Sequence, residues 1–78
     1  MKQQIEIFIS DNCAESTQLI DFLNKKSIDF FIKNTTDNKD YLYELHNQNI
    51  YITPALIIDK YYQVIGFQQN KIEKLLRI

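Results

Sequence analysis

Cys13 is the one thiol in this sequence, set in the run Ser10-Asp11-Asn12-Cys13-Ala14-Glu15-Ser16. A cysteine attacks disulfides only as its thiolate, so its surroundings decide what it can do. The polar residues before it are helix-cap formers and those after it suit a helix, which predicts a sulfur at a helix N-terminus. There the unpaired backbone N–H groups and the helix dipole favour an anion. Ser16, three residues on, can give a hydroxyl hydrogen bond to the sulfur and favour its charged form further. Asp11 and Glu15 are close in sequence and are expected to repel a thiolate, with no adjacent Lys or Arg to offset them. The balance predicts a thiol only moderately acidified. Two further signals follow: Ile52-Thr53-Pro54 opens a strand-like run, and Gly66, the only glycine, closes the next one. Each also has a plainer reading. Cys13 can serve as a small buried hydrophobe, Pro54 as a tolerated strand start, and Gly66 as a turn residue.

The elements that must position these residues are legible in the hydrophobic pattern. Ile5-Glu6-Ile7-Phe8-Ile9 is nearly continuous in hydrophobicity, which suits a strand covered on both sides. Leu19, Ile20 and Leu23 form an apolar stripe on a helix of about residues 13 to 26, with Lys25 and Lys26 at its C-terminal end. Residues 28 to 33 read as a second strand, broken by Asn34-Thr35-Thr36-Asp37. A short helix over 38 to 47 carries Tyr41, Leu42 and Leu45 on one face. Ala55 to Ile58 is a third strand, linked by Asp59-Lys60 to a fourth over 61 to 65, an antiparallel hairpin. Ile72, Leu75 and Leu76 share a face of a last helix with Asn70 near its start. The order is β-α-β-α-β-β-α, with a parallel crossover between the first two strands and helices on both faces of one sheet.

Composition narrows the function classes. Seventy-eight residues make a single domain, 1–78, near the lower size limit for an unstapled core. One cysteine allows no internal disulfide and no zinc or iron–sulfur site within a monomer. Apolar residues at 45% with one Gly and one Pro indicate dense regular structure. Nothing is long and apolar enough to span a membrane, and no signal-peptide pattern opens the chain. A free thiol without an export signal is expected in the cytoplasm. The net charge is −1 and the basic residues are scattered, so nucleic-acid binding is not expected. His46 reads as a surface or cap residue, and Tyr51, just before the proline, as a rim contact.

A Cys at the start of the first helix, Thr53-Pro54 before strand three and Gly66-Phe67 after strand four resemble the glutaredoxin branch of the thioredoxin-like superfamily. The pattern is also similar to the small glutaredoxin-like electron donors of ribonucleotide reductase, and it covers essentially the whole chain. Glutaredoxins typically carry Cys-Pro-Tyr-Cys, where this chain has Cys13-Ala14-Glu15-Ser16. Ser16 stands at the second cysteine, as in the monothiol glutaredoxins with Cys-Gly-Phe-Ser that bind iron–sulfur clusters. The lysine often found three residues before the Cys is Ser10. The glutathione-binding Gly-Gly followed by acidic residues is reduced to Ile65-Gly66-Phe67-Gln68-Gln69.

The resemblance implies an α/β thioredoxin-like (glutaredoxin) fold, a four-stranded mixed sheet flanked by three helices, with a cis peptide before Pro54. It implies redox chemistry at Cys13, with Asn12, Ser16, Thr53, Pro54, Gly66 and Phe67 around the substrate. Thr53 would offer main-chain hydrogen bonds, and Gly66 a close backbone approach. Glutathione or another low-molecular-weight thiol is the expected co-substrate, and a thiol or mixed disulfide, including one on a protein, the expected partner. The expected protein is a monomer without a metal, engaged in monothiol disulfide exchange and electron transport. Two alternatives stay open: a redox-inactive thioredoxin-fold module that binds a peptide, and an iron–sulfur carrier built from two chains.

Overall fold

A computed structural model describes residues 3–77. Strand β1 (Ile5–Ile9) lies inside a four-stranded sheet of order β2-β1-β3-β4, where β2 is Phe31–Asn34, β3 is Ala55–Ile58 and β4 is Tyr62–Ile65. β1 runs parallel to β2 and antiparallel to β3, and β3 pairs antiparallel with β4. Helices α1 (Ala14–Lys25), α2 (Lys39–Asn47) and α3 (Gln69–Leu76) complete the expected order.

Alternation along the strands divides the core into two layers. Ile5 and Ile7 of β1, Leu56 and Ile58 of β3 and Val64 of β4 pack with Leu19, Phe22 and Leu23 of α1 and Ile72 and Leu76 of α3. Phe8, Ala55 and Ile57 face the other way, toward Leu45 of α2 and Ile50. Helices therefore cover both sheet faces, and β1 and β3 are buried on both, as continuous apolar strands require. The buried stripe of α1 runs through Ser16, Leu19, Phe22 and Leu23, while Ile20 is only half-buried.

The second strand departs from expectation. It starts at Phe31, not at 28, because Glu6 is already opposite Phe31 near the start of β1. Ile28 and Phe30 have little strand beside them and pack onto the α1–α3 layer instead. β2 is an edge, which leaves Phe31 and Ile32 exposed. The hairpin link is also longer than expected. Asp59 and Lys60 both take left-handed backbone (φ 54° and 61°), and Tyr61 N–H donates to the Ile58 carbonyl at 3.0 Å. Tyr61 therefore belongs to the turn, and the strand begins at Tyr62.

One buried charge was hidden in the apolar first strand. Glu6 is buried and pairs with Lys33 of β2, whose Nζ also reaches Glu44 of α2 at 2.6 Å, while Lys60 lies 3.5 Å from Glu6. Lys33 sits over the Phe8 ring as well, 5.3 Å from its centroid. Burial pushes the Glu6 carboxyl up, but the hydrogen bond and charge of Lys33, with Lys60, outweigh it and hold the group below its usual range. Burial likewise pushes Lys33 down, and Glu44 and Glu6 more than offset it, so its pKa is raised.

Candidate thiol site

The turn bearing Cys13 leaves the C-terminal end of β1 and is pinned on two sides. Toward β2, Thr35 returns both its N–H and its hydroxyl to the Ile9 carbonyl, at 2.8 and 2.9 Å. Asp11 N–H donates to the Thr36 hydroxyl at 3.0 Å, and Asn34 donates to the Asp11 carboxylate at 3.1 Å. Toward β3, the hydroxyls of Ser10 and Thr53 are 2.7 Å apart and hydrogen-bonded. Asn12 completes the turn in left-handed backbone (φ 59°), a conformation that Asn tolerates well.

Cys13 is the N-cap of α1, with extended backbone (φ −112°, ψ 107°) and no side-chain cap bond. Its sulfur is half-buried and points at the Thr53 carbonyl, to which the thiol donates at 3.9 Å. Ser16, one turn in, is buried and its hydroxyl has no hydrogen-bond partner. A buried hydroxyl left unpaired is costly, and the nearby sulfur becomes its acceptor once ionised. That hydroxyl is the chief influence holding the Cys13 thiol below its ordinary value. Burial works against it, and the Ser16 N–H, the Thr53 hydroxyl and the Glu15 N–H add to it.

The opposition expected from Asp11 and Glu15 is thus supplied by burial. Asp11 is held by Asn34, and Glu15 accepts the backbone N–H of Phe67 at 3.0 Å. A Cβ on Gly66 would stand 3.2 Å from that same Glu15 carboxylate oxygen, and Gly66 has φ 78°. The glycine therefore serves the turn and the Glu15 contact in this structure. Its N–H closes the site from behind by donating to the Pro54 carbonyl at 2.8 Å. Pro54 is fully buried, and the Thr53–Pro54 peptide is cis. Phe67 packs its ring on Phe22 at 5.6 Å between centroids.

No protein family matches the chain by sequence, and no curated protein does either. Solved structures match it along nearly its full length. A point variant of the thioredoxin-like protein BC3987 superposes with a TM-score of 0.89 at 25% identity, covering 96% of each chain. The glutaredoxin of Methanosarcina mazei gives 0.81 at 16% identity, over 96% of this chain and 79% of its own. That of Archaeoglobus fulgidus gives 0.79 at 15%, over 96% and 87%. The chain has a thioredoxin-like fold.

Within this thioredoxin-like fold the seven residues singled out from sequence fall in one region. Asn12, Cys13 and Ser16 lie at the β1–α1 junction, Thr53 and Pro54 before β3, and Gly66 and Phe67 after β4. Tyr51 and Ile52, 69% and 63% exposed, flank Thr53 with apolar surface, and the His46 ring lies 4.9 Å from that of Tyr51. Three residues of the site had no assigned role from sequence: Ser10, which holds Thr53; Asn34, which holds Asp11; and Glu15 as the partner of Phe67. Their partners lie 43, 23 and 52 residues away, beyond any local pattern. Among the described residues no group of three or more His, Cys, Asp or Glu is placed to hold a metal ion, and no helix is long and apolar enough to cross a membrane.

Proposed function

We propose that the protein is a small glutaredoxin-like thiol–disulfide oxidoreductase that works through Cys13 alone. The observation that carries this reading is the buried, unpartnered hydroxyl of Ser16 beside a half-buried sulfur at the N-terminus of α1. Such a hydroxyl is satisfied by a thiolate and poorly by a thiol, so the site favours the nucleophilic form.

The Cys13 thiolate attacks one sulfur of a mixed disulfide. A new S–S bond forms to Cys13, the old one breaks, and the departing sulfur takes the electron pair and later a proton. Ser16 stands where a dithiol enzyme would carry a resolving cysteine, so an external thiol must attack the Cys13 adduct and release its thiolate. Glutathione or another low-molecular-weight thiol is the co-substrate class. The Thr53 main chain, with Asn12, Pro54, Gly66 and Phe67 around it, receives the substrate beside the sulfur in the manner of an added strand. A reducing compartment such as the cytoplasm suits a free thiol of this kind.

Turnover of a mixed disulfide by the native chain and by Cys13→Ser tests this, with mass spectrometry to detect the thiol adduct on Cys13. Turnover by the native chain that vanishes in the variant, with an adduct at Cys13, is the expected result. A native rate no higher than the variant's returns the molecule to the class of redox-inactive binding modules.

A further inference from the structure

We propose that the Cys13 site selects against anionic disulfides, glutathione disulfide among them, and that Glu15 is the residue that sets this preference. The proposal rests on the oxidoreductase reading above and narrows its substrate class to disulfides without carboxylates near the sulfurs, and its co-substrate class to low-molecular-weight thiols other than glutathione. Two observations carry it. First, a carboxylate already occupies the backbone N–H that follows Gly66, since Glu15 Oε2 accepts from Phe67 N at 3.0 Å. A substrate carboxylate reaching the Gly66–Phe67 turn meets a filled donor and a like charge. Second, the segments that surround the sulfur carry no cation. Residues 10–16, 51–54 and 65–68 contain no Lys or Arg, and their charged side chains are Asp11 and Glu15 alone. The β2–α2 loop that holds Asp11 adds Asp37 and runs into Lys39 at the start of α2, while Lys33 on β2 is committed to Glu6 and Glu44. The sulfur itself belongs to a built site, because the buried Ser16 hydroxyl one helical turn on is unpartnered and is the chief group acting on it.

Like charges near an exposed site slow the encounter with an anion, and the effect fades as salt screens it. The experiment follows formation of the Cys13 adduct with three probes: glutathione disulfide (anionic), bis(2-hydroxyethyl) disulfide (neutral) and cystamine (cationic). Each rate is divided by that of the thiolate of N-acetylcysteine amide, which removes the intrinsic reactivity of the probe. At about 20 mM salt the normalised glutathione rate should fall about three- to tenfold below the neutral one, with cystamine above both. At about 0.5 M salt the spread should collapse. Glu15→Gln, which keeps an acceptor for Phe67 N–H and loses the charge, should raise the glutathione rate relative to the neutral probe. A normalised glutathione rate equal to or above the neutral one at low salt overturns the proposal, as does a spread that neither salt nor Glu15→Gln reduces. These are single-turnover exchanges, so a Cys13 no faster than the free thiolate toward every probe defeats the oxidoreductase reading while the order among probes is still read.

Discussion

Ser16 keeps a buried hydroxyl without a partner directly after the turn that presents Cys13, and the two residues behave as one unit. Cys13 caps α1 and Ser16 is its third helical residue, so both the Ser16 N–H and its hydroxyl are available to an anionic sulfur.

Ser16→Ala should therefore raise the pH midpoint for alkylation of Cys13, measured with iodoacetamide across a pH series. The stability readout has the opposite sign on the two sides. The lowered pKa of Cys13 contributes stability above the unfolded thiol's pKa, and that contribution is lost as pH falls through the lower folded value. Ser16→Ala should shrink this alkaline gain. At acid pH it should be neutral or stabilising by up to about 1 kcal/mol, since it removes an unpaired buried hydroxyl.

Thr53→Val deletes a weaker contributor to the same shift and the 2.7 Å bond to Ser10. The alkylation midpoint should rise by less than in Ser16→Ala. The loss of the Ser10 bond should cost about 0.5–1.5 kcal/mol in urea unfolding. A rise larger than that in Ser16→Ala would contradict the order of influences at the sulfur.

The Glu6–Lys33–Glu44 cluster should dominate the pH dependence of stability. Glu6 has a lowered pKa, so its contribution is present above the unfolded glutamate value of about 4.3 and is lost as pH falls through the folded value. Lys33 has a raised pKa, so its contribution holds below about 10.4 and is lost as pH rises through the folded value. Glu6→Gln leaves Lys33 partly uncompensated and should cost about 2–4 kcal/mol at neutral pH. Glu6→Leu combined with Lys33→Met should cost clearly less than Glu6→Gln, as judged by denaturant midpoints.

Gly66→Ala should destabilise by about 1–2 kcal/mol, because φ 78° is strained for any side chain. The atom a Cβ would meet is the far end of Glu15, which can move aside. The same substitution in a Glu15→Ala background should therefore cost nearly as much. If the cost disappears there, the crowding and not the backbone is what excludes alanine.

Much of this architecture is written in local pattern. The two-sided strand at Ile5–Ile9, the start of α1 at Cys13 and the proline before Ala55–Ile58 follow from side-chain period and backbone restriction, which act over a few residues. The cap formers before Cys13 nevertheless make no side-chain cap, and Cys13 itself is the N-cap. The start of β2 was not legible, because it depends on which residue of β1 it meets. Nor was Glu6, whose burial makes sense only once Lys33 is beside it.

The sequence by itself determined that a single thiol stands at a helix mouth, that Pro54 opens a strand and that Gly66 ends one. Tertiary structure decided which groups reach that thiol. It put the Thr53 carbonyl opposite the sulfur, turned Glu15 away to the Phe67 amide and tied Asp11 to Asn34. Side-chain partners 23 to 52 residues apart are chosen by strand register and helix docking, and a local sequence window holds no information about either.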